Sequence, residues 1–388
     1  MKCFGWRNSG GGDYGLKISD ASETQPASLS TGTPPARSLP RRLLHRFIPA
    51  QFHDPVGLTK RLIKSRDPAA FFAMKLAGFG PLCAPLDLLL QPFEHRAYLS
   101  APPRRLPVVI VCGPPRSGTT LVAQALIENL SVAYFDNLTA LFPRSPVTAS
   151  RVFRRFISRR SMGYSSYYGR TDHLSGANDA LQLWDRWLGA DRTHPPTELS
   201  PEQREAMVKF FDAYEAWSGL PLVAKNNNLN ASASLVAGAL PDCYFLCLTR
   251  EPVFLARALL RARRAIHGRE DLGYGLTPPG SASPDPVEDV CRQVMFLEQL
   301  SLKQQASIGP ARFRPISYEG FCRDPAATLK MVTEEMLHLP VPPNGFPNLP
   351  PKFEPTNLES DDHALLACLE HTLNRLRDAA AERQEPGP

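Results

Sequence analysis

Residues 106–130, LPVVIVCGPPRSGTTLVAQALIENL, contain a short apolar run, a glycine-bounded turn and a second apolar segment in that order. The run at 107–112 is rich in β-branched residues and has the length of a strand that is covered on both faces. Gly113 and Gly118 bracket the turn, and Thr119 opens a helix whose free N–H groups and positive dipole end point back into the turn. The stretch therefore predicts an anion-binding loop between a buried strand and a helix.

The spacing of this loop matches the nucleotide-triphosphate pattern G-x-x-x-x-G-K-[ST] at every position but one. Thr119 stands where that pattern has the lysine that reaches the β- and γ-phosphates. The cation of the loop is instead Arg116, which lies beside the bound anion rather than beyond it. A P-loop nucleotide kinase or NTPase is therefore kept only as the alternative function.

The sequence GPPRSGTTL closely resembles the 5′-phosphosulfate loop of sulfotransferases that use 3′-phosphoadenosine 5′-phosphosulfate (PAPS). In that family the loop backbone, the arginine, the serine and the two threonines hold the 5′-phosphosulfate. The resemblance implies this binding role for five residues: Arg116, Ser117, Gly118, Thr119 and Thr120. It also implies a P-loop α/β fold, in which a parallel sheet of four to five strands is flanked by helices.

Two later apolar runs end in basic residues and are similar to elements of the same family. The run at 221–225, PLVAK, predicts a strand ending in Lys225, and the carboxyl end of a parallel strand lies at the ligand edge of the sheet. It is similar to the A-K-x-P or L-K-x-P step in which a lysine neutralises the transferring sulfuryl group, although Asn227 replaces the proline. The run at 243–249, CYFLCLT, precedes Arg250, which resembles the arginine that starts the 3′-phosphate element.

The 3′-phosphate element departs from the family at one position, because Ala258 stands where a serine completes the contact. Either one of the nearby arginines compensates, or the affinity for the 3′-phosphate is reduced. The arginines in question are Arg257, Arg261 and Arg264. The same departure keeps open a third function, that of a catalytically weak nucleotide-binding or scaffold protein.

Asp136 is the first candidate for the general base. In protein-tyrosine sulfotransferases, which share the P-R-S-G-T-T-L loop, a glutamate base lies about this far beyond the arginine. Here the nearest carboxylate is Asp136, directly after a predicted short strand at 132–135. Capping of a helix at 138–142 explains this aspartate equally well.

His173 is the second candidate, because small-molecule sulfotransferases use a histidine base; a lone loop histidine is, however, more often only exposed. It lies in the stretch 167–189, YYGRTDHLSGANDALQLWDRWLG, which resembles carbohydrate-type and bacterial sulfotransferases. Asp179 in this stretch is predicted to cap the helix that follows it. The resemblance and the aromatic residues of the region imply a carbohydrate or glycoconjugate hydroxyl as the acceptor, and the loop at 268–286 is interpreted as an acceptor-side lid.

Composition narrows the function further. The chain has 388 residues and a net charge of +6, which fits an anionic cofactor but falls short of a nucleic-acid binder. The arginines at 151–160 recur at helical spacing, so a solvated helix beside an acceptor loop explains them better. Eight scattered cysteines form no C-x-x-C pair, which favours free thiols and a cytoplasmic protein. No metal is expected, since PAPS carries the activated group.

The predicted organisation has four parts: a disordered tail at 1–35, a helical extension at 36–100, a sulfotransferase domain at 101–340 and, at 341–388, a proline-rich wrap with a last helix and a frayed end. The segment at 69–90 has the length of a membrane span, but it contains Lys75, Asp87 and several glycines and prolines. Two short helices at 68–77 and 84–90 are therefore predicted instead of a span. Contact with a membrane surface is left open, also for the basic segment at 37–46.

Overall fold

A computed structural model describes residues 54–158, 160–192, 194–280, 283–356 and 362–383. The predicted tail at 1–35 and the basic segment at 37–46 lie outside these residues. Four strands form one sheet: β1 (Val108–Cys112), β2 (Leu222–Lys225), β3 (Cys243–Thr249) and β4 (Phe313–Ser317). Their order is β2-β1-β3-β4 and every pairing is parallel, which confirms the predicted α/β class.

Helices surround this sheet. Among the described residues, α1 (Pro55–Ser65) and α2 (Pro68–Ser100) precede β1. Between β1 and β2 lie α3 (Thr119–Asn129), α4 (Asn137–Leu141), α5 (Pro146–Phe153), α6 (Leu181–Leu188) and α7 (Pro201–Ser218). α8 (Ala233–Ala239) precedes β3, and α9 (Pro252–His267) and α10 (Pro286–Ile308) precede β4. The last are α11 (Tyr318–Arg323), α12 (Pro325–Met331) and α13 (His363–Ala381).

The core lies on both faces of the sheet, because successive residues of β1 point to opposite sides. Ile110 packs in an aromatic-rich cluster with Phe135, Trp184 and Phe210. Val111 packs on the other face in a cluster of mainly aliphatic residues. All five residues of β1 are buried, so the strand that leads into the glycine loop is held rigidly.

The strand predicted at 132–135 is not formed. Ala133 makes one isolated parallel bridge to Leu222, donating its N–H to the Pro221 carbonyl and accepting from the Val223 N–H. The segment is apolar because it is buried beside β2. Apolar burial alone does not distinguish a strand from an extended loop of this length.

The two helices predicted at 68–77 and 84–90 are one continuous helix, α2, with Pro81, Pro85 and Pro92 in its interior. Each proline removes an N–H donor for the carbonyl four residues earlier. Two of those carbonyls belong to the exposed Ala77 and Leu88, where solvent can donate in place of the lost N–H. By length and composition alone, α2 qualifies as a helix that could cross a membrane, and only 11% of its most apolar window is buried.

Gly113, the first residue of the loop, leaves β1 with φ at +132° and passes close to β3. A Cβ atom here would lie 2.4 Å from the Leu248 carbonyl oxygen, a backbone atom that cannot move aside. We expect Gly113→Ala to lower the free energy of unfolding by roughly 3 kcal/mol through strain and steric overlap. Thermal unfolding measures the change.

The matched control is Gly238→Ala in α8, where a Cβ meets nothing within 4 Å and the backbone is helical. This variant should be as stable as the wild type, or slightly more stable. Equal melting temperatures for the two variants would show that the loop tolerates a side chain at Gly113.

Candidate functional site

Three strands deliver their carboxyl ends to the same edge of the sheet. The loop at 113–118 follows β1, Lys225 ends β2 beside Val111, and Arg250 follows β3. β1 lies between β2 and β3, so the strands that follow it in the chain are added on opposite sides of it. Ligands bind at such a point in open parallel sheets. The structure therefore brings the predicted loop, lysine and arginine to one edge.

The loop offers several donors for an anion. Gly118 is the N-cap residue of α3 at φ +94°, and no side chain caps the first N–H groups of this helix. Within the described part of the chain, Ser117 Oγ and Arg116 Nε are buried without a hydrogen-bond partner. Thr119 Oγ1 donates to Asn227 Oδ1 at 2.7 Å, so the asparagine that replaces the proline holds the loop. Buried unpaired donors at a helix N-terminus suit a phosphate or sulfate group.

A tight turn lies over Arg116. Tyr167 and Arg170 exchange two backbone hydrogen bonds of 2.8 and 3.0 Å, and the residues between them, Tyr168 and Gly169, both have positive φ, as in a type I′ turn. The Arg116 guanidinium stands 4.8 Å from the centre of the Tyr168 ring. Burial raises the pKa of Tyr168, with Arg116 opposing it. This turn belongs to the stretch 167–189, which the sequence predicts to contact the acceptor.

Lys225 is 3% exposed and reaches the beginning of α3. Its Nζ lies 3.1 Å from Thr120 Oγ1 and 3.4 Å from the Gly169 carbonyl oxygen. The closest polar atom is Asp179 Oδ1, at 2.7 Å. The lysine thus joins the loop, the tight turn and a carboxylate at a single point.

The predicted cap role of Asp179 is wrong. The N-cap residue of α6 is Ala180, which has φ +47° and makes no side-chain cap. The Asp179 carboxylate turns instead toward Lys225 and keeps 24% of its side chain exposed. An ion pair formed between distant parts of the chain has prevailed over local capping. Sequence analysis missed this partner because no pattern connects positions 179 and 225.

Asp136 is fully buried and serves as the N-cap residue of α4. Its carboxylate accepts hydrogen bonds of 2.8 and 2.7 Å from Thr139 N and Oγ1, and it pairs with Arg154. Burial raises the pKa of Asp136, while Arg154 and the Thr139 donors oppose that rise. Among the described residues, none of these contacts reaches the loop or Lys225. The capping explanation thus matches the structure, and the role as base stays a prediction.

His173 has φ +50° and contacts Asn137, the residue that follows Asp136. Its Nδ1 is 2.9 Å from Ser175 Oγ, and its carbonyl accepts from Asn137 Nδ2 at 2.7 Å. The side chain is 12% exposed, with Nε2 3.7 Å from Asp172 Oδ1. The ring is therefore held by the acceptor-side stretch, and its role as base also stays a prediction.

Arg250 stands in a cluster of buried cations. Its Nη1 donates to the Arg116 carbonyl at 2.7 Å, and its Nη2 donates to Thr356 Oγ1 at 3.0 Å. Arg257, 2% exposed, donates to the Thr356 carbonyl at 2.9 Å. Burial lowers the pKa of Arg250, and the charges of Arg116 and Arg257 act in the same direction. Of the three candidate compensators for Ala258, Arg257 therefore shares a contact residue with Arg250, whereas Arg264 pairs with Glu270 on the surface.

Part of the predicted lid lies against the loop. Gly275 packs so closely that a Cβ atom there would be 2.5 Å from Pro115 Cγ. Tyr274 Oη donates to the Tyr168 carbonyl at 3.3 Å, and the Tyr274 carbonyl accepts from Gln293 Nε2 at 2.8 Å. This segment therefore borders both the loop and the tight turn. For metals, the described residues contain no group of three or more His, Cys, Asp or Glu placed to hold an ion.

Comparison with known proteins gives one family match. The model described as the Sulfotransferase family matches residues 107–343. Comparison with curated proteins returned no match. Among solved structures, sulfotransferase STF9 from Mycobacterium avium aligns with a TM-score of 0.47 and 15% identity, over 80% of this chain and 79% of that chain. Sulfotransferase STF1 from Mycobacterium tuberculosis H37Rv aligns with a TM-score of 0.41 and 13% identity, over 75% and 84% of the two chains.

Proposed function

The chain belongs to the sulfotransferase family, whose model matches residues 107–343, and on that basis we propose that this enzyme moves the sulfuryl group of PAPS to an acceptor hydroxyl. The observation that carries the proposal is the meeting of Lys225 with Thr120 and Asp179 at the N-terminus of α3. This point combines a buried cation, free helix N–H groups and a carboxylate. Sulfuryl transfer needs all three. The cation and the N–H groups stabilise the anionic donor and the leaving phosphate, and the carboxylate takes the proton of the acceptor hydroxyl.

The residues at the sheet edge fit both ends of PAPS. The loop at 113–118 and the first turn of α3 would hold the 5′-phosphosulfate, and the buried Ser117 Oγ and Arg116 Nε supply unused donors for it. Arg250 and Arg257 would hold the 3′-phosphate, since both are buried and converge on Thr356. When bound, PAPS supplies a sulfuryl group that is already activated.

Within this site, each side chain has a distinct task. Lys225 Nζ donates a hydrogen bond to the oxygen that gains negative charge during the transfer. Because Thr120 already fixes the ammonium group, the side chain needs little reorganisation. Asp179 accepts the proton of the acceptor hydroxyl, because its carboxylate is partly exposed and 2.7 Å from Lys225. We place Asp179 ahead of His173 and Asp136 as base because Asp179 lies against Lys225 at the first turn of α3. The carboxylate of Asp136 contacts Thr139 and Arg154 instead, away from the loop.

The proposed acceptor is a carbohydrate hydroxyl. The tight turn presents Tyr167 and Tyr168, whose ring centres are 4.9 Å apart, next to the carbonyl of Gly169 that contacts Lys225. Aromatic faces stack on sugar rings, and carboxylates such as Asp179 accept from sugar hydroxyls. A screen of radiolabelled sulfuryl transfer over glycan, lipid and phenol acceptors tests this choice.

Calorimetry with 3′-phosphoadenosine 5′-phosphate tests the donor site. We expect the wild type to bind it, and Arg250→Ala and Arg257→Ala each to weaken binding by about 10- to 150-fold, the range for losing a hydrogen bond to a charged group. Arg264→Ala is the matched control, because this arginine lies on the same helix but pairs with Glu270 at the surface. It should bind like the wild type.

Adenosine 5′-phosphate, which lacks the 3′-phosphate, serves as the folding control. Arg257→Ala should bind it with wild-type affinity. Arg250→Ala also removes the hydrogen bond to the Arg116 carbonyl in the loop, and should lose less affinity for adenosine 5′-phosphate than for 3′-phosphoadenosine 5′-phosphate. If the wild type does not bind 3′-phosphoadenosine 5′-phosphate, the PAPS proposal is contradicted. Magnesium-dependent ATP turnover would support the alternative of a nucleotide kinase or NTPase. Unchanged affinity in Arg257→Ala would show that another group fills the place of the missing serine at position 258.

A further inference from the structure

Helix α2 presents its large apolar side chains outward. Eight of its large apolar residues are exposed by more than a third of their surface: Phe71, Phe79, Leu82, Leu86, Leu88, Leu89, Phe93 and Leu99. The most exposed are Leu82 at 71% and Leu89 at 69%. In a soluble domain such a concentration on one helix marks a surface that binds something apolar.

The same helix turns its acidic side chains inward. Asp87 is 3% exposed, and its Oδ1 accepts from the N–H of Ser145 at 2.9 Å. Glu94 is 1% exposed and accepts from the N–H groups of Val147 and Thr148 at 3.1 and 2.7 Å. These two carboxylates satisfy the N-terminal donors of α5 and favour its positive dipole end. Asp87, whose charge argues against a membrane span in the sequence, therefore faces the protein and not the outer surface.

The outward face is also free of charge over a long distance. Between Leu76 and Phe93 the sequence contains no charged residue other than the buried Asp87. At 1.5 Å per residue this stretch is about 27 Å long. Lys75 and Arg96 stand just beyond its two ends, and both are exposed. A long uncharged apolar face between cations complements the acyl region and the anionic headgroups of a phospholipid bilayer.

α1 carries further exposed basic residues beside the N-terminal part of α2. It packs on α2 and exposes Lys60 and Lys64 together with the apolar Val56 and Ile63. Basic and apolar side chains on one surface are typical of helices that lie in a membrane interface. They would place ammonium groups at the headgroups while the apolar residues enter the acyl boundary.

The width of the apolar face favours lipid over a second copy of the chain. Phe79, Leu82, Leu86, Leu89 and Phe93 follow the three-and-four spacing of a coiled-coil seam. However, Leu88 lies about 100° round the helix from its neighbour Leu89 and is 49% exposed. A single partner helix covers one narrow seam, whereas a fluid phase covers the whole exposed arc.

We propose that α2 seats this sulfotransferase on an anionic phospholipid bilayer, lying in the interface with its inner face fixed to α5 and α7. Those contacts prevent α2 from crossing the membrane alone, because its buried carboxylates hold it to the domain. The N-terminal part of α2 also packs, through Ala70 and Met74, in a cluster with Tyr167 and Tyr168. Bound lipid would therefore lie beside the element that carries the tight turn over Arg116.

Co-sedimentation of the full chain with vesicles tests the proposal. We expect binding to phosphatidylcholine vesicles that contain phosphatidylglycerol, and weaker binding to phosphatidylcholine alone. The double variant Leu82→Glu with Leu89→Glu should lose binding by at least 100-fold, because it replaces the two most exposed leucines of the surface with carboxylates that anionic headgroups repel. Leu302→Glu is the matched control, since Leu302 in α10 is 64% exposed but lies outside the proposed surface, and it should bind normally.

The other occupants of this surface give different results. A wild type that stays in the supernatant overturns the proposal, and so does vesicle binding that persists in the double variant. If the wild type stays in the supernatant and forms a concentration-dependent dimer that the double variant abolishes, the occupant is a second copy of the chain. If it stays in the supernatant as a monomer, residues 1–53 of the same chain are indicated as the occupant. Unchanged affinity of the double variant for 3′-phosphoadenosine 5′-phosphate shows that it is folded and keeps this test independent of the donor site.

Discussion

Lys225→Met is expected to lower kcat for sulfuryl transfer by about 100- to 1,000-fold, the usual cost of removing one preorganised donor from a reacting centre. The reason is position. Lys225 is 3% exposed and fixed by Thr120 and Asp179, so its charge is held at one point beside the first turn of α3. Methionine keeps much of the length of the side chain and removes only its charge and donors.

Initial rates over a range of PAPS concentrations measure this effect. If Lys225 acts on the charge that develops during transfer, kcat falls while the affinity for 3′-phosphoadenosine 5′-phosphate changes little. Lys209→Met is the control, because that lysine is an exposed residue of α7 that pairs with Glu205. A parallel loss of product affinity and rate would indicate that Lys225 only binds the nucleotide. Full activity would remove it from the mechanism.

We expect Asp179→Asn to lose activity and Asp136→Asn to lose stability. Asp179→Asn is expected to fold normally and lose about 100- to 10,000-fold in rate, because an amide cannot accept the proton of the acceptor. The amide oxygen of asparagine can still accept from Lys225 Nζ, and the Thr120 hydroxyl and the Gly169 carbonyl remain as acceptors, so the buried lysine is not left unpaired. The measurement is the transfer rate together with the melting temperature of the same sample.

Asp136→Asn should instead lower the free energy of unfolding by about 3 kcal/mol or more, because breaking a buried ion pair leaves its partner uncompensated. That partner is Arg154, which is 28% exposed. The folded fraction should transfer sulfate at the wild-type rate. An Asp136→Asn protein that folds but is inactive would support the base predicted from the loop resemblance. Inactivity of His173→Gln, with both aspartate variants active, would assign the base to His173.

Much of the architecture follows from short-range patterns. The sequence predicts β1, β2 and β3 as apolar runs because nearly all of their residues are covered on both faces, as the fully buried β1 shows. The sequence predicts the loop from its two glycines. Glycine is needed at both positions because Gly113 and Gly118 have positive φ, which other side chains rarely adopt. Lys225 and Arg250 could be placed at one edge without knowing the strand order, since parallel strands share a direction.

Contacts between residues that are distant in the sequence could not be predicted from local patterns. Asp179 looked like a helix cap because aspartate before an apolar helix normally is one. Its interaction with Lys225 depends on how the segment at 167–180 passes over β2, which no local spacing reports. The choice of Arg257 among the arginines near Ala258 depends equally on Thr356, a residue far along the chain.

The sequence by itself determined the glycine loop, the buried strands and the three basic residues at the sheet edge, because each of these depends on neighbours within a few residues. Only the tertiary structure decided which carboxylate meets Lys225 and which direction α2 faces. Both depend on the packing of distant segments: α2 turns its carboxylates inward because the N–H groups of α5 need acceptors there. Its apolar side chains are left on the outer surface as a result.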